Sequence, residues 1–164
     1  MKVWPTGIDA DRFKPTANMR RNQVLIYHKD ESDQFCYRVE YMLRKEFGFR
    51  TKIIKYGNYD LKEYVRELDK SEFMVVLTRS ESQGIFYPEA WSMDVPTIVF
   101  EPNYYKWGRK PYHGEERAGD ISTCPYLSEK TGARWFEMRE LREVLDRMKE
   151  GDINLHQGNG FLKI

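Results

Sequence analysis

The feature that most restricts this chain is a regular alternation of short, β-prone runs with segments of helical periodicity. Gln23–His28, 73–78 and 95–100 are continuous apolar runs, short enough for strands and apolar enough to need burial on both faces. Arg50–Tyr56 reads as another strand, closed by Gly57-Asn58, and Ala133–Phe136 as a weaker one. Between them, Phe35, Val39, Met42, Leu43 and Phe47 share one helical face, with Asp33 as the expected cap and Gly48 as the stop. Asp60 and Glu63 have capping-box spacing ahead of the stripe Leu61, Tyr64, Val65 and Leu68. Arg139–Lys149 turns Leu141, Val144, Leu145 and Met148 to one side. Strand, helix, strand repeated in this way predicts an α/β, three-layer Rossmann-like domain with a parallel sheet and helices on both faces.

The chain of 164 residues is long enough for one domain with a substantial core. Residues 1–22 lead into it, 23–150 form it, and 151–164 are a polar tail that reads as a truncated element. The segment 101–122, rich in Tyr, Trp, Lys and Arg, is longer than connections inside a compact domain usually are. Net charge is +1 with acid and base interleaved, which gives no electrostatic case for nucleic acid. Cys36 and Cys124 lack metal-ligand spacing and read as reduced, unpaired thiols. No apolar run approaches a membrane span, and the first residues do not form a signal peptide, so the expected compartment is the cytoplasm.

Chemistry concentrates between Glu81 and Pro96. Glu81 and Glu89 are separated by seven residues, with Gly84 between them and Pro88 just before the second carboxylate. A glycine turn between a strand and a short helix points backbone N–H groups and the positive helix end above the sheet, which suits a diphosphate. Glu89 on the first helical turn cannot bind phosphate, but it can accept two hydrogen bonds from a ribose diol. The plain alternative is a carboxylate stabilised by the helix dipole, worth about 0.3–1 kcal/mol. His28 reads as structural or solvent-facing, and His113 and His156 have no partners at useful spacing.

With the motif set between two strands, the chain resembles the C-terminal domain of two-Rossmann-domain (GT-B) glycosyltransferases, and most of all the retaining enzymes of glycosyltransferase family 4. The resemblance rests on Glu81-Ser82-Gln83-Gly84, Glu89-Ala90 and Asp94-Val95-Pro96. Pro5-Thr6-Gly7-Ile8-Asp9 with Arg12-Phe13-Lys14-Pro15, and Tyr56-Gly57-Asn58-Tyr59 with Leu61, are supporting matches. It implies that Glu89 binds the donor ribose and that Glu81 faces the transferred sugar. The N–H groups of Gly84, Ile85 and Phe86 would meet the distal phosphate or the sugar. Gln83 and Tyr56 complete the nucleotide-binding set, Tyr56 lying near the base. Family members carry an Arg and a Lys after the first strand; here Lys29 is the single candidate cation and the Arg has no counterpart.

The resemblance further implies a hexosyltransferase donor domain that takes a UDP- or GDP-linked nucleoside-diphosphate sugar, needs no metal and acts with retention. A missing N-terminal acceptor-binding domain or partner subunit would complete the enzyme, so this domain alone is expected to be inactive. No nucleic acid and no transmembrane segment are expected; a peripheral membrane position is open for the full enzyme. Three other readings stay open: a non-catalytic nucleotide-sugar-binding or interaction module, an epimerase or nucleotide-sugar hydrolase, and a flavodoxin-like signalling domain using Asp30, Glu31 and Asp33.

Overall fold

The structure is a computed structural model and describes residues 7–79, 81, 83–102 and 122–152. Expectations that fall on residues 1–6, Ser80, Ser82, 103–121 and 153–164 lie outside the described residues. The elements run β1 (Gln23–His28), α1 (Asp33–Tyr41) continued by a π-helical turn (Met42–Glu46), β2 (Thr51–Lys55), α2 (Leu61–Asp69), β3 (Ser71–Leu77), α3 (Phe86–Ser92), β4 (Thr97–Phe100), β5 (Gly132–Trp135) and α4 (Met138–Glu150). The strands form one five-stranded sheet in the order β2-β1-β3-β4-β5, and every pair is parallel. This is the Rossmann-like three-layer arrangement expected, in the doubly wound order that reverses direction between β1 and β3.

The two-residue period of the strands builds the layers. Val24 and Ile26 face a cluster with Val39 and Leu43 of the first helix and Leu141 and Leu145 of α4. Leu25 and Tyr27 face the opposite way, toward Tyr64 and Leu68 of α2 and Phe86, Tyr87 and Ala90 of α3. The strand residues Val24, Leu25, Ile26, Met74, Val75 and Val76 are all 0% exposed, which explains their unbroken apolar character.

Local chemistry fixes the helix starts, with two corrections. Ser32, not Asp33, caps α1: its Oγ accepts the Phe35 N–H at 3.2 Å, while Asp33 turns to the Lys55 ammonium at 2.9 Å. Asp60 caps α2 and accepts from Glu63 N–H at 2.7 Å, but the reciprocal arm is absent because the Glu63 carboxylate accepts from Lys52 at 3.0 Å. A full capping box stands at α4 between Glu137 and Glu140.

Residues 7–22 strap across the α2–α3 layer. Phe13 is 3% exposed and meets Tyr64 edge-on, and its carbonyl accepts from Ser92 Oγ at 2.7 Å. Arg21 donates to the carbonyls of Met93 and Asp94 at 2.5 Å each, closing the exposed end of α3. Asp94, where the related signature has glycine, takes φ 54°, a left-handed value that Asp adopts more readily than most residues.

Candidate functional site

The strands at which the connectivity reverses end side by side, and the motif begins where β3 stops. His28 lies opposite Leu77, and the Lys29 N–H donates to the Leu77 carbonyl at 3.0 Å, the last rung of that ladder. Beyond it the two exits are tied together, since the Asp30 carboxylate accepts the Arg79 N–H at 2.7 Å. The crevice outside such strand ends is where open α/β sheets bind ligands.

Lys29 turns its side chain toward the α2–α3 side, where its ammonium forms an ion pair with Glu81. The Glu81 side chain is 9% exposed and that of Lys29 25%, so both charges are held away from bulk water. The same ammonium lies 5.0 Å from the centroid of the Tyr56 ring, a cation–π distance. Three residues singled out in the sequence are thereby brought together: Lys29, Glu81 and Tyr56.

Gly84 takes φ 56° in the turn that precedes α3. A Cβ there would stand 2.6 Å from Cδ2 of Tyr87, and that ring is fully buried with its hydroxyl donating to the Thr123 carbonyl at 2.7 Å. The glycine was expected for a ligand's approach; its need is already set by backbone conformation and by the Tyr87 ring. Gln83 and Ile85 are exposed around it. Phe86 is 5% exposed and stacks on Tyr27 at a centroid distance of 4.3 Å, so only its backbone can face a ligand. At the start of α3 the Tyr87 N–H already donates to the Gly84 carbonyl at 2.9 Å and Pro88 has no N–H, so Phe86 is the residue of its first three with an N–H to offer.

Glu89 lies on α3 behind this turn. Its carboxylate is half-buried, and among the described residues nothing but burial acts on its ionisation. Burial pushes its ionisation up to about 7. The neighbouring wall is made of tyrosines. The hydroxyls of Tyr27 and Tyr59 are 3.0 Å apart, and Tyr64 donates to the Phe86 carbonyl at 3.1 Å. Burial raises the ionisation of Tyr59 and Tyr64, and the Glu89 charge adds to it in both. Tyr27 is likewise raised, first by burial and then by its bond to Tyr59, with a smaller contribution from Glu81. This tyrosine wall went unread in the sequence. Its signal was there: Tyr27 continues the inward alternation of Leu25, and Tyr64 sits on the α2 stripe.

Other chemistry-bearing groups are structural. His28 is 3% exposed, with Nε2 at 2.7 Å from the Glu31 carbonyl. Cys36 and Cys124 are buried free thiols, each pushed up to about 12 by burial. Among the described residues no group of His, Cys, Asp or Glu could hold a metal ion, and no helix is long and apolar enough to cross a membrane.

Two clefts lie on the other helix layer. One of about 680 Å³ opens at the carboxyl ends of β4 and β5, among Phe35, Phe100, Phe136, Arg38, Arg79 and Arg139. The other, about 700 Å³, follows the seam between the first helix and α4, past Tyr37, Tyr41, Met42 and Met138. Glu81 and Glu89 line neither.

No family model matches the chain. Among curated proteins it is similar to the RecBCD enzyme subunit RecB of Buchnera aphidicola subsp. Schizaphis graminum (strain Sg), at 28% identity over 93 residues. That stretch is 55% of this chain and 7% of that protein, a likeness that assigns the chain to no family.

Proposed function

We propose that this domain binds a nucleoside-diphosphate sugar, as the donor half of a retaining glycosyltransferase. The observation that carries the reading is Glu89. A desolvated carboxylate without a donor among the described residues costs the fold stability, and groups of this kind cluster where a ligand supplies what is missing. A ribose diol offers two O–H donors from adjacent carbons, the number a carboxylate can take. The turn into α3 is a short distance along the chain, and the N–H groups of Gly84, Ile85 and Phe86 there suit a phosphate. Lys29, held by Glu81 and Tyr56, supplies one positive charge at the crevice.

In a complete enzyme the diphosphate would leave the anomeric carbon carrying developing negative charge. Fixed N–H dipoles and the Lys29 ammonium would favour that charge more than the intact donor. Glu81 would keep Lys29 in place and complement the sugar rather than remove a proton. The Lys29–Glu81 pair also favours a second reading, a binding module without turnover, because Glu81 offsets the site's single candidate cation among the described residues. Supplying an acceptor-binding domain separates the two, since only a transferase would then consume donor.

The test is a binding cycle by calorimetry. UDP, GDP and ADP are titrated into the protein and into Glu89→Gln, followed by the 2′-deoxy form of whichever binds. If Glu89 holds the diol, the variant and the deoxy ligand each weaken binding, and combining them adds little further loss. Fully additive losses would remove Glu89 from that role, and absence of binding by all three would remove the donor reading.

A further inference from the structure

The cleft on the α1–α4 layer is independent of Glu81 and Glu89, and its lining has a chemistry of its own. Its apolar wall is aromatic: Phe35 packs on Phe100 at a centroid distance of 4.8 Å, and Phe136 is 37% exposed. Its charges are uneven. Arg79 pairs with Glu31 at 3.5 Å and Arg139 with Glu143 at 2.9 Å. Arg38 is exposed and has no carboxylate partner among the described residues, although it lines this cleft and the adjoining seam. Ser32 and Glu137, the N-caps of α1 and α4, also stand in the lining; both helix starts are already capped, Ser32 Oγ accepting the Phe35 N–H and the Glu137 carboxylate the N3 N–H of α4, so the positive charge on offer to a ligand is the Arg38 guanidinium. A volume of about 680 Å³ falls in the range of small-molecule sites, which combine apolar walls with a few placed polar groups.

We propose that this cleft is a second ligand site, for an organic anion with a planar or apolar body, its charged group at Arg38 and its body against Phe35 and Phe136. The guanidinium matches a phosphate or carboxylate through paired N–H donors and stays charged at any physiological pH. The aromatic wall selects against a bare anion, because burying a ring adds binding that a hydrated ion cannot match. The site shares the carboxyl edge of the sheet with Lys29 but lies on the opposite helix layer. Two ligands could therefore be held at that edge at once, one on each side.

The probe is phenyl phosphate, with inorganic phosphate as the comparison, titrated calorimetrically into the whole chain and into Arg38→Ala and Phe136→Ala. Both side chains are exposed, and an unchanged thermal midpoint verifies that each variant folds. Phenyl phosphate is expected to saturate one site, with inorganic phosphate weaker by about tenfold or more. Arg38→Ala should weaken phenyl phosphate by about tenfold and Phe136→Ala by a comparable factor, while Arg38→Ala leaves nucleoside-diphosphate binding as it was. Equal affinity for the two phosphates would overturn the proposal, as would phenyl phosphate binding that both variants leave intact. Nucleoside-diphosphate binding is read in a separate titration, so failure of either site shows without the other.

Discussion

Replacing Glu89 by Gln should stabilise the fold while impairing the site. Burial moves the Glu89 ionisation from 4.5 to about 7, which corresponds to at most about 3 kcal/mol of destabilisation once the pH is well above 7, reduced by the water that reaches this half-buried carboxylate. The sign follows from linkage. The folded state holds this proton more tightly than the unfolded chain, so the favourable contribution is complete below about pH 4.5 and is lost as pH rises through 7. Gln has no such proton. Between pH 5 and pH 8 the wild type should therefore lose about 2 kcal/mol relative to Glu89→Gln, and less to the extent that water reaches the carboxylate. For a domain of this size that is a relative shift of about 4–8 °C in thermal midpoint. The assay is thermal unfolding of both proteins at the two pH values. Parallel pH dependence, or a Gln variant less stable at pH 8, would refute the claim that the carboxylate is desolvated and unpartnered.

Other positions give sharper structural outcomes. Gly84→Ala forces a left-handed φ on a residue with a side chain and drives its Cβ into the Tyr87 ring, so a loss of about 2–4 kcal/mol is expected by urea unfolding. Gly132→Ala would set a Cβ 1.8 Å from the Thr97 carbonyl oxygen in the β4–β5 pairing, and soluble yield and cooperative unfolding should both fall steeply. A thiol reagent at pH 8 should leave native Cys36 and Cys124 unmodified and label both in urea, because burial shields them and raises them to about 12. Rapid native labelling of either would contradict that packing.

The layer architecture was legible because buried parallel strands leave an unbroken apolar run, as in β1 and β3, and because α2 and α4 carry clean stripes. Cap identity was legible only to within a residue. Ser32 and Asp33 are both good caps, and the Lys55 ammonium, distant in sequence, draws Asp33 away. The π-helical turn at Met42–Glu46 carries no local marker such as Gly or Pro; it appears in the tertiary structure, where Phe47 N–H reaches the Met42 carbonyl at 3.2 Å. Strand order is likewise a long-range property. Only once β3 is seen beside β1 does the crevice holding Lys29 and Glu81 exist. Gly84 shows how a correct residue can be chosen for an incomplete reason, since the Tyr87 ring three positions later already demands it. The arginine–aromatic cleft was not legible, because Arg38 of α1, Phe100 of β4 and Phe136 before α4 come together only when α1 and α4 pack on one face of the sheet.

The central claim is a nucleoside-diphosphate site beside Gly84 and Glu89, and backbone amide mapping of the ¹⁵N-labelled protein tests it most directly. Titration with UDP, GDP and ADP should give, for one of them, saturable shifts at Lys29, Tyr56, Gln83–Phe86 and Glu89, with Phe136 and Arg139 unmoved. Shifts confined to the α1–α4 layer, or no saturable shift with any of the three, would contradict it.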